Sequence, residues 1–116
     1  MTAETDYRLV LCTCPDQECA TRIAEGLVEE RLAACVSLVP GLTSIYRWQG
    51  AIQRDAEVLL LIKTVAGRCD ALTATLRALH PYEVPEIIAL PIAAGLPDYL
   101  TWITLCTQPE CTQPDT

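Results

Sequence analysis

Residues 35–65 read CVSLVPGLTSIYRWQGAIQRDAEVLLLIKTV, and this stretch decides the fold. Its first half, Cys35 to Trp48, is rich in strand formers: Val36, Leu38, Val39, Thr43, Ile45, Tyr46 and Trp48. Pro40-Gly41 interrupts that run and marks a bend or bulge. Gln49-Gly50 is a tight-turn signal, and Ala51 to Val65 forms the return strand. Two strands of this length predict a β-hairpin of on the order of 40 Å, at about 3.3 Å per residue. Such a hairpin must project beyond a small domain. The run Val58 to Ile62 is too apolar for a solvated sheet edge, so self-association through strand pairing is expected, and closed symmetric assemblies are the default.

Working outward, Tyr7 to Cys14 reads as a strand. The near-continuous apolar run of Leu9, Val10 and Leu11 marks it as central and covered. Pro15 ends it, and Asp16 is a helix N-cap. Ala20, Ile23, Ala24, Leu27, Val28 and Leu32 follow at 3-4 spacing, which predicts an amphipathic helix over about 16–32. After the hairpin, Ala66-Gly67 opens a second helix with Cys69, Leu72, Leu76 and Leu79 as its buried stripe. That helix ends before Pro81. Ile87 to Ile92 is a fourth strand, in which Pro91 implies an edge position. Gly95 and Pro97 introduce a final helix with Tyr99, Leu100, Trp102 and Ile103. The order β-α-β-β-α-β plus a terminal helix predicts an α+β, ferredoxin-like fold: an antiparallel sheet with a long β2-β3 hairpin and an extra C-terminal helix. The domain is expected over 1–106. The tail 107–116, a near-repeat of Thr-Gln-Pro-acidic, is expected to be disordered.

Composition narrows the class. The chain has 116 residues, 51% of them hydrophobic, which suits one domain. Phe is absent, so the core must be Leu, Val, Ile and Ala. No apolar run reaches the roughly 18 residues of a membrane span, and Met1 to Arg8 is polar, so a soluble cytoplasmic protein without membrane contact is expected. The net charge of −7 argues against a nucleic-acid partner, which needs a basic face.

There are seven cysteines, and no C-x-x-C pair among them. Most lie in apolar segments, as free core thiols do. Cys12-Thr13-Cys14 stands apart. Two residues apart on a strand share a face, so these sulfurs form either a pair able to hold one soft ion such as Cu(I) or two small buried residues at a strand end. The other chemical cluster is His80-Pro81-Tyr82-Glu83-Val84-Pro85-Glu86, which holds the chain's single histidine. Its prolines keep it extended and stiff. It is either a connector or a rigid holder of ligand-facing groups.

Taken together, several segments resemble the CutA family, the divalent-cation-tolerance proteins. They are Leu11-Cys12-Thr13 with Pro15-Asp16, Leu32-Ala33-Ala34-Cys35-Val36, Tyr46-Arg47-Trp48-Gln49-Gly50, Lys63-Thr64, His80 to Glu86, and Asp98-Tyr99-Leu100-Thr101-Trp102. The resemblance spans roughly 8–105. It implies a homotrimer built through the long hairpins, similar to trimeric PII-type signalling proteins. It also implies a role in tolerance of divalent metals, copper above all, with metal ligands carried onto Cys12, His80 and Glu86. Cys14 departs from the family pattern. A thiolate, an imidazole and a carboxylate suit Cu(II) or Zn(II). The alternative is a PII-like sensor or scaffold, with Trp48, Lys63, His80, Tyr82 and Glu86 lining an inter-subunit pocket for a small anionic or polar ligand and Lys63 supplying the positive charge. There is no G-x-S-x-G, phosphate loop or H-E-x-x-H, so enzymatic activity is not expected, although a Cys12–His80 nucleophile pair would be the form to look for.

Overall fold

In the computed structural model, residues 6–109 are described. The elements are β1 (Tyr7–Cys14), α1 (Gln17–Glu29), β2 (Cys35–Trp48), β3 (Ala51–Val65), a 3-10 turn (Ala66–Arg68), α2 (Cys69–Leu79), β4 (Ile87–Pro91) and α3 (Pro97–Cys106). The four strands form one antiparallel sheet in the order β2-β3-β1-β4. This is the ferredoxin-like α+β arrangement with its additional terminal helix. Among the described residues no helix is long and apolar enough to cross a membrane.

The hairpin gives the molecule its length of 48 Å against 26 and 23 Å in the other directions. Its turn is Gln49-Gly50, with φ of 52° and 83°. Two consecutive positive φ values define a type I′ turn, which matches the twist of the strands it joins. Pro40-Gly41 forms the expected bulge. Val39 pairs with Leu59 and Leu42 with Glu57, so two residues of β2 oppose the single Val58. β1 pairs with β3 only from Val58 to Val65, which leaves the outer half of the hairpin as a two-stranded arm.

The apolar run Val58–Ile62 is not an edge. β3 lies between β2 and β1, and its apolar character reflects that interior position. The edges are β2 and β4, and Pro91 lies on the latter. Alternation then divides the sheet into two faces. Val10, Cys12, Cys14, Leu60 and Ile62 point to the face covered by α1 and α2, where they pack with Ile23, Leu27, Leu72 and Leu76. Each of these large side chains contributes about 1.5–3 kcal/mol by burial. On the opposite face α3 covers one end, where Leu100 and Ile103 pack with Ala34, Tyr7 and Val65. Beyond it Leu11, Leu59 and Leu61 are half-buried, and Val39, Ile88 and Leu90 are exposed.

α1 begins as expected, with Asp16 Oδ1 accepting from the Cys19 amide at 2.8 Å. It stops three residues earlier than the apolar spacing indicates. Arg31 adopts φ 59°, and the amides of Arg31 and Leu32 return to the carbonyls of Val28 and Leu27. This is a Schellman ending with arginine in the left-handed position. It brings Leu32 back to the core (4% exposed) while Val28 stays outside. Leu79 is also outside the core, at 42% exposure. It closes α2 above Gly26, where an added Cβ would lie 3.7 Å from Leu79 Cδ1. Thr107, the expected start of the tail, is buried and caps α3 through bonds to the Ile103 and Thr104 carbonyls. The rest of the expected disordered tail, residues 110–116 with Cys111, lies outside the described residues.

Candidate metal centre and adjoining cleft

The end of β1 delivers Cys12 and Cys14 to the helix-covered face, both fully buried. His80 arrives from the end of α2, where Pro81 forces it into extended backbone. The ligand atoms of Cys12, Cys14 and His80 all lie within 4.8 Å of one another. Sequence distance concealed this meeting, because the topology alone brings α2's end to the end of β1.

His80 is fully engaged. Its Nε2 lies 2.8 Å from the Thr13 carbonyl oxygen, so that nitrogen carries the proton and donates. Its Nδ1 accepts from the Tyr82 amide at 3.1 Å. The network assigns the neutral Nε2–H tautomer. The ring can therefore ligate an ion only by releasing one of these bonds. Of the two sulfurs, Cys12 Sγ donates to the same Thr13 carbonyl at 3.8 Å. Interaction with Cys12, and further with Cys19, lowers the Cys14 pKa against the opposing effect of burial. Cys12 is held far above the usual thiol range, first by its bond to Cys14, then by burial, with repulsion from Cys14 and Glu86 adding to the effect. Burial raises Cys19, and the neighbouring Cys14 raises it further. A thiolate thus forms more readily at Cys14 than at Cys12, whose S–H is directed at the Thr13 carbonyl. Cys19 is a participant that sequence reading missed. The only available signal was its place one helical turn inside α1, just after β1.

Glu86 is exposed and lies outside this cluster. It lines a cleft of about 650 Å³ on the far side of β1, together with Trp48, Tyr82, Tyr46, Glu57 and Glu83. Thr13, between the two cysteines, also lines the cleft, so the sulfurs and the cleft lie on opposite faces of one strand. His80 is buried and does not line it. Nor does Lys63. That ammonium donates to Ser37 Oγ at 2.6 Å and reaches Cys35 Sγ at 3.8 Å. Of the five residues expected at a ligand pocket, the structure gathers Trp48, Tyr82 and Glu86 and sends Lys63 elsewhere. Glu57 had no sequence signal. It sits opposite the bulge, 7% exposed, and its Oε2 accepts from the Tyr82 hydroxyl at 2.6 Å.

Comparison with known proteins places this geometry in context. The family described as CutA1 divalent ion tolerance protein matches residues 8–106. The "Divalent-cation tolerance protein CutA" of Thermus thermophilus is 59% identical over 95 residues, covering 82% of this chain and 92% of its own. Mouse "Protein CutA" is 52% identical over 96 residues, covering 83% of this chain but only 54% of its own length. The crystal structure of CutA from Xylella fastidiosa superposes with a TM-score of 0.87 at 50% identity, covering 89% of this chain and 99% of that one.

Proposed function

Because the chain belongs to the CutA1 divalent ion tolerance family, we propose that it contributes to cation tolerance by binding copper, or a similarly thiophilic divalent ion, through Cys12 and Cys14. The observation that carries this reading is the gathering of two sulfurs and an imidazole within 4.8 Å. Thiolates favour Cu(I) and Zn(II), and imidazole suits the same metals. His80 joins when Nδ1 releases the Tyr82 amide, or when Nε2 gives up its proton along with Thr13. The carboxylate ligand carried over from the family, Glu86, serves the cleft side of β1 in this reading and does not join the sulfurs. In this reading the protein binds without turnover, in keeping with a family named for cation tolerance.

The working form is a homotrimer. The support is the sheet face opposite α1 and α2, where Leu11, Leu59, Leu61, Ile88 and Leu90 form an apolar surface that α3 leaves uncovered. Further copies of the chain would cover it and pair the projecting hairpins. A reducing, cytoplasmic setting suits Cys12, Cys14, Cys19, Cys35 and Cys69, which are not in disulfides.

The test is an equilibrium titration with Cu(I) and Zn(II) under reducing conditions, against a competing chelator, on wild type, Cys12→Ser and Cys14→Ser. Loss of binding in both variants supports the paired-sulfur site. Unchanged affinity in both removes it.

A further inference from the structure

An ion that settles between Cys12 and Cys14 must first reach them, and both side chains are 0% exposed. β1 itself separates the sulfurs from the cleft on its other face. His80 is nearer the surface, at 7% exposure, but both of its ring nitrogens are engaged, with Thr13 O and Tyr82 N. It would have to break a hydrogen bond before it could catch anything. Cys19 is differently placed. Pro15 and Asp16 turn the chain back from β1 into α1, and Asp16 Oδ1 holds the Cys19 amide at 2.8 Å. Cys19 thereby joins the same buried cluster as Cys12 and Cys14 and interacts with Cys14. It lies outside the close group of Cys12, Cys14 and His80. At 5% exposure it is the least buried of the three thiols, and the residues just before it, Asp16, Gln17 and Glu18, are all exposed. This end of α1 lies on the helix-covered face of the sheet, opposite the apolar surface assigned above to other copies of the chain.

We propose that Cys19 is the entry ligand of the metal centre: Cu(I) is caught between Cys19 and Cys14, then passed to Cys12 while Cys14 keeps its hold. The proposal rests on the paired-sulfur reading above and adds the route by which that pair is filled. Cys14 is the neighbour of both other sulfurs, so it can hold the ion while its second partner changes. Sulfur ligands suit Cu(I) at every stage. On capture, the ligands of the incoming complex leave, and the Cys19 and Cys14 thiols release their protons to solvent as their Cu–S bonds form. On transfer, the Cys12–Cu bond forms, the Cys19–Cu bond breaks, and the Cys12 proton passes to Cys19. Copper remains Cu(I) throughout, so no oxidant or reductant is needed.

The test delivers Cu(I) as its bicinchoninate complex, whose colour is lost as the ion leaves, and follows transfer by stopped flow under anaerobic reducing conditions. Release is followed by adding excess bicinchoninate to loaded protein. A group that touches the ion only in transit changes the barrier and not the equilibrium, so Cys19→Ser and Cys19→Ala should each slow capture and release alike, by about tenfold, with affinity unchanged. Cys14→Ser should lose binding. In loaded wild-type protein, alkylation by iodoacetamide, read by mass spectrometry, should show Cys12 and Cys14 protected and Cys19 modified as in the metal-free protein. Unchanged rates in both Cys19 variants, with binding still lost in Cys14→Ser, would overturn the route alone. Weakened affinity in both Cys19 variants, or protection of Cys19 on loading, would also overturn it, by making Cys19 a resident ligand. Full binding by Cys14→Ser would overturn the paired-sulfur site and the route with it.

Discussion

Replacing His80 with alanine tests the junction on which both sites depend. The ring is 7% exposed and lies 4.7 Å from the Tyr82 ring, centroid to centroid. Its two nitrogens hold Thr13 O at 2.8 Å and Tyr82 N at 3.1 Å. Two hydrogen bonds contribute about 1 kcal/mol each, and an orphaned buried carbonyl costs roughly 1–3 kcal/mol. Counting the bonds once and the ring's burial modestly, His80→Ala should lose about 3 kcal/mol. With a urea slope of roughly 1.5 kcal/mol/M, the unfolding midpoint should fall by about 2 M with the slope unchanged. The assay must run with a chelator present and at fixed protomer concentration, since metal and self-association both shift apparent stability. His80→Gln, which retains a donor, should recover part of the loss. A midpoint shift below about 0.5 M in metal-free protein would refute the reasoning, because His80 would then not be holding β1 to the 80–86 segment.

Other outcomes follow from the same structure. Gly50→Ala, at φ 83°, should cost about 1–2 kcal/mol, whereas Gly67→Ala, with open space at its Cβ, should change thermal stability little. Tyr82 has its pKa raised by burial and by its bond to Glu57. The protonated phenol therefore contributes stability that is fully present below about pH 10 and lost as pH rises through the higher folded value; Tyr82→Phe should flatten that alkaline decline in urea titrations. Light scattering at micromolar concentration should give about three times 12.7 kDa, and a soluble monomer would contradict the apolar face as an interface. Metal affinity should weaken as pH falls, because protons compete for Cys14 and Cys12; a chelator-competition series across pH reads this directly.

Much of the fold was legible because its signals are local. Asp16, Gln49-Gly50, Pro40-Gly41 and Pro81 each act within a few residues, and the structure uses all four as their chemistry dictates. The misplaced details are tertiary. Arg31 ends α1 in a left-handed conformation that no glycine announced. The Val58–Ile62 run is apolar because β1 flanks β3, and strand order is not written in a single strand. At the site, the alternation rule placed Cys12 and Cys14 on one face. The approach of His80 required the chain to close over 68 positions, and the burial of Glu57 required the arm to meet the 80–86 segment. The setting of Lys63 within one chain was hidden for the same reason. Its strand position was clear, but alternation sends it to Ser37 and Cys35, on the face that β2 shares.

The most direct test of the central claim is X-ray absorption on protein loaded with one equivalent of Cu(I) under reducing conditions. If Cys12 and Cys14 hold the ion, sulfur should dominate its nearest neighbours. That sulfur signal should fall in Cys14→Ser and persist in a variant with Cys35, Cys69 and Cys106 all changed to serine. A spectrum dominated by nitrogen and oxygen, or a sulfur signal that survives Cys14→Ser and vanishes with the other three cysteines, would contradict the account.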